Sequence, residues 1–134
     1  MVNEKETHKP PYDLEERTLR FARSVRSLVK KLTKTIANAE DGRQLIRASG
    51  SVGANYIEAN ESLGRKDFRM RIKISRKEAK ECRYWLRLLD VGGDEKMADE
   101  QARLVQESTE LMNIMGAIVR KTEPPRANAR AGGS

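Results

Sequence analysis

Apolar residues recur at spacings of three, four and seven along four stretches of the chain, and nowhere with the alternation of a strand. In the first stretch, from about Asp13 to Ala39, Leu14, Phe21, Val25, Leu28, Leu32 and Ile36 form one stripe. Arg20, Arg23, Lys30, Lys31 and Lys34 fall on the opposite side, the arrangement of an amphipathic helix. Asp41 followed by Gln44 has the form of a capping box, with a carboxylate in place of the usual hydroxyl. A second helix is therefore predicted from about Gly42 to Leu63, ended by a left-handed Gly64. Its main stripe is Leu45, Ala48 or Ser49, Val52, Tyr56, Ala59 and Leu63, and a second stripe carries Ile46, Gly50, Gly53 and Ile57. The third stretch, from about Lys66 to Leu89, alternates four and three through Phe68, Ile72, Ser75, Ala79, Cys82, Leu86 and Leu89. Met70, Ile74, Trp85 and Leu88 form its second apolar strip. Val91-Gly92-Gly93 stops that helix, and Asp94 is placed to cap a fourth, from about Glu95 to Lys121. The fourth carries Met97, Gln101, Leu104, Ser108, Leu111, Met115 and Ile118 in the same alternation and ends before Pro124-Pro125.

Four long helices joined by short connections predict an all-α fold, an up-down antiparallel four-helix bundle over residues 13–121. Residues 1–12 and 122–134 are polar, each with a double proline, and read as flexible tails. The chain of 134 residues then holds a single domain. No run approaches the ~18 apolar residues of a membrane span and no apolar leader opens the chain, so a cytoplasmic protein is expected. The single cysteine, Cys82, leaves no internal disulfide to form, in keeping with a reducing compartment.

The small residues of the second helix, in the segment SGSVGANYIEANES (49–62), demand an explanation, because each helical glycine costs about 1 kcal/mol relative to alanine. Two readings account for them. The helix is either the most buried of one bundle, or it forms an interface between copies of the chain. The second strip on the third helix favours the interface, since Ile74, Trp85 and Leu88 otherwise face water. The expectation is a closed cyclic homo-oligomer whose interface includes Gly50, Gly53, Asn55, Ile57, Glu58, Ile74, Trp85 and Leu88. Asn55 and Glu58 are its expected polar contacts.

Charge changes the picture further. The chain has 27 basic and 20 acidic residues, a formal +7. Residues 65–90 hold ten basic against four acidic, while residues 91–121 hold four against six. Within the third helix Lys66, Arg69, Lys73, Arg76, Lys80, Arg83 and Arg87 are spaced alternately three and four, a ridge about 32 Å long. Such a ridge repels itself, by a few tenths of a kcal/mol per neighbouring pair. It reads either as a solvated face or as a track for a polyanion. Nucleic acid, RNA or DNA, is the expected partner, bound through its backbone with release of counterions. Arg20, Arg23, Lys30 and Lys34 form a lesser patch. The ridge has no aromatic residue in its own line, so stacking on unpaired bases is not expected. The alternative is a protein-interaction adaptor whose basic face docks an acidic partner.

Catalytic and metal chemistry find little support. His8 is the only histidine and lies in the N-terminal tail, Cys82 falls on a core stripe, and no phosphate-binding loop occurs. Glu58 with Glu61, and Glu78 with Glu81, lack the histidine companions of bundle metal sites. No enzyme activity, metal, cofactor or small-molecule substrate is expected.

Two segments, SGSVGANYIEANES (49–62) and SRKEAKECRYWLRLLD (75–90), resemble the signature segments of a bacterial four-helix-bundle family. It is the family named for members encoded in intervening sequences of 23S ribosomal RNA genes, and it is similar to the accessory variability protein of diversity-generating retroelements. The resemblance spans roughly residues 14–121. It implies an antiparallel bundle commonly assembled as a homopentamer, with a basic surface and no known enzymatic activity. For the retroelement relatives it implies a nucleic-acid role beside a reverse transcriptase. Carried over by position, Ser51, Asn55, Glu58 and Ala59, then Lys77, Glu78, Ala79, Glu81, Tyr84, Trp85, Leu86, Leu88 and Leu89, are packing and assembly residues.

Overall fold

A computed structural model describes residues 13–125. The tail assigned to residues 1–12, with His8, and residues 126–134 of the tail assigned to 122–134 lie outside it. The described chain forms four helices: α1 (Leu14–Lys31), α2 (Ile36–Asn60), α3 (Arg65–Leu88) and α4 (Glu95–Lys121). Each packs on its sequence neighbours, and α4 closes the ring onto α1. The diagonal pairs, α1 with α3 and α2 with α4, keep their backbones apart. The most extensive seam joins α2 to α3 and the slightest joins α1 to α4.

The period-3.6 stripes of the sequence are the core. Leu14, Phe21, Val25 and Leu28 of α1 meet Leu45, Ala48 and Val52 of α2, Ile72, Ala79, Cys82 and Leu86 of α3, and Leu104, Leu111 and Met115 of α4. Buried hydroxyls find partners without breaking the packing. Thr18 donates to the Leu14 carbonyl at 2.7 Å, and Ser75 reaches across the seam to the Val52 carbonyl at 2.7 Å. Small buried residues of α2 and α3, among them Ala48, Ser75 and Ala79, allow that reach.

Three local expectations are corrected. First, the chain leaves the helix after Lys31. Leu32 is extended and Thr35 begins α2, its side chain accepting a hydrogen bond from the Asn38 N–H at 3.0 Å. Asp41 therefore lies inside α2 and caps nothing. The β-branched pair Thr33 and Thr35 is weak in a helix interior and Thr35 is strong as a cap, which decides the break. Ile36, expected on the apolar stripe of the first helix, opens α2 at 85% exposure. Second, α2 ends at Asn60 rather than Leu63, and Leu63 is fully exposed in the connection. Third, Gly64 does not close α2 in the left-handed region. Its φ of −141° is extended and it stands as the N-cap of α3. The left-handed glycines are Gly92 and Gly93, at φ 63° and 82°, where the chain turns out of α3.

The end of the bundle holding the α1–α2 and α3–α4 connections is tied by side chains distant in sequence. Buried Asn38 donates to the carbonyls of Thr33 and Asp90 and accepts from the Asp90 N–H, each at 3.0 Å. Gln101 of α4 donates to the carbonyls of Leu86 and Leu89 at 2.7 and 3.0 Å. These bonds satisfy carbonyls that the end of α3 leaves without helical partners.

Candidate nucleic-acid interface

The α3 ridge lies along the side of the helix next to α4. Lys66, Lys73, Arg76, Lys80 and Arg87 are exposed, whereas Arg69 and Arg83 are half-buried. Arg69 is turned toward the end of α4, donating to the Val119 carbonyl at 3.2 Å and to Thr122 Oγ1 at 3.3 Å. It therefore caps α4 as well as carrying charge, a favourable placement at the negative end of a helix. The Arg76 guanidinium lies over buried Gly116, where a Cβ would be 3.5 Å from Arg76 Nε. None of the seven ridge cations makes an ion pair among the described residues.

Neutralisation by α4 would be the simplest alternative use of the ridge, and three of the five acidic groups of α4 are engaged elsewhere. Glu107 and Glu110 both bind Arg17 of α1, at 2.7 and 2.8 Å, and Glu100 binds Lys31 at 2.7 Å. The ion pairs of α4 are thus made on its α1 side. On the opposite flank of α3, facing α2, Glu78 and Glu81 share Arg47 at 3.2 Å each. The lesser cationic set is not continuous with the ridge. Arg20, 3.9 Å from Glu16, and exposed Arg23 and Lys30 are on α1, diagonally opposite α3, and Lys34 is in the α1–α2 connection.

Several residues assigned to an interface between copies are engaged within one chain. Gly53 faces α1 so closely that a Cβ there would stand 2.7 Å from Thr18 Oγ1. Gly50 faces Arg26 of α1, which donates to the Ala22 carbonyl of its own helix and reaches α2 through Ser49 Oγ and the Ile46 carbonyl. Asn55 donates to the Ser51 carbonyl and accepts from Arg71 Nη1 of α3 at 3.3 Å. Trp85 packs on the core and Ile74 is half-buried. Ile57, Glu58 and Leu88 face outward. With Leu19, Ala22, Gly50, Gly53 and Ala54, Ile57 lines an open groove of about 530 Å³ between α1 and α2.

Cys82 is fully buried, and burial pushes its thiol up, with the charges of Glu78 and Glu81 adding to the effect. That environment suits a small core residue, not a nucleophile. Among the described residues no group of three or more His, Cys, Asp or Glu is placed to hold a metal ion, and no helix is long and apolar enough to cross a membrane. The feature that sequence reasoning missed is Tyr84. It stands 58% exposed beside the ridge, in a T-shaped contact with Trp85 with centroids 5.3 Å apart.

The chain matches no curated protein. Its structure is similar to the 1.70 Å crystal structure of a protein of unknown function from the S23 ribosomal protein family of Bacteroides thetaiotaomicron, with a TM-score of 0.66 and 28% identity, covering 78% of this chain and 96% of that one. The model of the 23S rRNA-intervening sequence protein family matches residues 12–117, nearly the whole bundle. The first three helices, α4 except its last turn, and the two signature segments fall within that match, and the chain belongs to the 23S rRNA-intervening sequence protein family.

Proposed function

We propose that this protein binds the backbone of nucleic acid through the α3 ridge and carries out no reaction of its own. One observation carries the reading. Five exposed cations of α3 stand in a line without ion-pair partners among the described residues, while Glu100, Glu107 and Glu110 of the adjacent α4 are paired with α1. A helix that keeps such mutual repulsion is less stable for it, and a phosphate chain relieves it by releasing counterions from the ligand. Replacing Lys66, Lys73, Lys80 and Arg87 together by glutamine is expected to abolish binding to RNA and DNA while leaving helicity intact. Replacing Arg23 and Lys30 on α1 serves as the control, with a much smaller effect. Unchanged binding in the α3 variant refutes the reading. A protein partner that stays bound after nuclease treatment would favour the adaptor instead.

Association of copies belongs to the same proposal. The outward Leu19 and Ile57 of the α1–α2 groove, and Leu88 on α3, leave apolar surface that a closed ring of copies would cover. The family resemblance favours a pentamer, and for the retroelement relatives it adds a reverse transcriptase as partner. Molar mass by light scattering decides the assembly.

A further inference from the structure

We propose that Tyr84 is a base-stacking platform set beside the α3 ridge, so that the preferred ligand is single-stranded nucleic acid with unpaired bases rather than a duplex. This rests on the nucleic-acid reading above and reverses the expectation that stacking plays no part. The seven cations taken alone contain no aromatic residue, but the helix surface beside them does. One turn from Tyr84 lie Lys80 and Glu81 on one side and Arg87 and Leu88 on the other, with Lys77 a further turn away. Glu81 is held by Arg47 at 3.2 Å, so the charge left nearest the ring is cationic.

Tyr84 also departs from the packing role that its place in the signature segment implies. At 58% exposure its ring contributes little to the core, yet it is not loose. It meets Trp85 in a T-shaped contact, 5.3 Å between centroids at 73°, and Trp85 is anchored on the core. A ring steadied in this way loses less freedom when a ligand settles on it. Flat π-faces flanked by cations fit a strand whose bases are splayed out, because every base offers a face to stack and every phosphate a charge to meet. A duplex offers this ring no free base face, since its bases are already stacked on one another.

The test compares three labelled ligands of the same length: a single strand, that strand annealed to its complement, and an abasic strand with the same phosphates. The wild-type protein is expected to bind the intact strand about tenfold tighter than the abasic one. Tyr84→Leu should erase that preference and leave abasic affinity unchanged, Tyr84→Phe should keep it, and Lys80→Gln should weaken all three ligands together. Thermal melting confirms that each variant is folded. Equal wild-type affinity for the intact and abasic strands, or for the strand and the duplex, overturns the stacking role and leaves backbone binding by the ridge intact. Absence of binding to all three overturns both. A Tyr84→Leu variant with altered molar mass and unchanged affinities would assign the ring to a contact between copies, and would overturn the proposal equally.

Discussion

Gly53 and Gly50 share one strip of α2, and their surroundings set them apart. A methyl group at 53 would collide with Thr18 on α1, whereas one at 50 would meet only the tip of the Arg26 side chain at 3.6 Å. Gly53→Ala is expected to lose up to about 2 kcal/mol, because overpacking of about 1–3 kcal/mol outweighs the gain of about 1 kcal/mol in helix propensity. Gly50→Ala keeps that gain, up to about 1 kcal/mol. Urea unfolding of the two variants checks the contrast, and equal effects would contradict the close approach of α1 at Gly53. The Asn38 side chain makes three hydrogen bonds, two that join the start of α2 to Asp90 past the end of α3 and one that holds Thr33 in the α1–α2 connection. Asn38→Ala removes the partner of the Thr33 and Asp90 backbone groups and should lose about 1–2 kcal/mol in the same measurement.

At the scale of elements, the α1–α2 boundary is the sharpest check. Thr35→Ala removes the cap and should lose about 1 kcal/mol, while Asp41→Ala, inside the helix, should stay within about 0.5 kcal/mol. The reverse order would restore a helix start near Gly42. The long stripes of α3 and α4 were legible in the sequence because burial imposes its 3.6 period over six or seven turns; Ile72, Ser75, Ala79, Cys82 and Leu86 are all buried as their spacing requires. The break at Leu32 was not, because Ile36 continues the spacing across it by coincidence. Nor can spacing reveal which neighbour occupies a given side of a helix. It placed Gly50, Gly53, Ile74 and Trp85 off the main stripes correctly, but whether α1, α3 or a second copy covers them depends on the path of the whole chain. The ridge was visible as a line of cations, but Tyr84 was not associated with it, since exposure and the contact with Trp85 arise only in the folded helix. The links from Gln101 and Asn38 to the end of α3 escaped for a similar reason, as both join residues far apart in sequence.

Over the whole molecule, charge is partitioned by helix. Ion pairs draw Glu100, Glu107 and Glu110 of α4 to α1 across the slightest seam, and the Arg17 pairs with Glu107 and Glu110 are its clearest tie. Hydrogen bonds from Gln106 and Arg17 hold the Glu110 carboxyl below the usual carboxylate range. Its folded-state value is thus lower than its unfolded one. The stabilisation is present above the unfolded value and fades as pH falls through the folded one. Arg17→Met should therefore lower the melting temperature near neutral pH and reduce its fall on acidification; parallel curves for variant and wild type would contradict the tie. The same partition leaves α3 as a cationic edge, and the functional account depends on that edge meeting phosphates. Binding of a labelled single strand, measured over a series of salt concentrations, addresses this most directly. With five exposed ridge cations engaged, log K against log salt should fall with a slope of about −3.5 for a single strand, or about −4.5 for a duplex. A slope near zero, or one unchanged when Lys66, Lys73, Lys80 and Arg87 are replaced by glutamine, would contradict it.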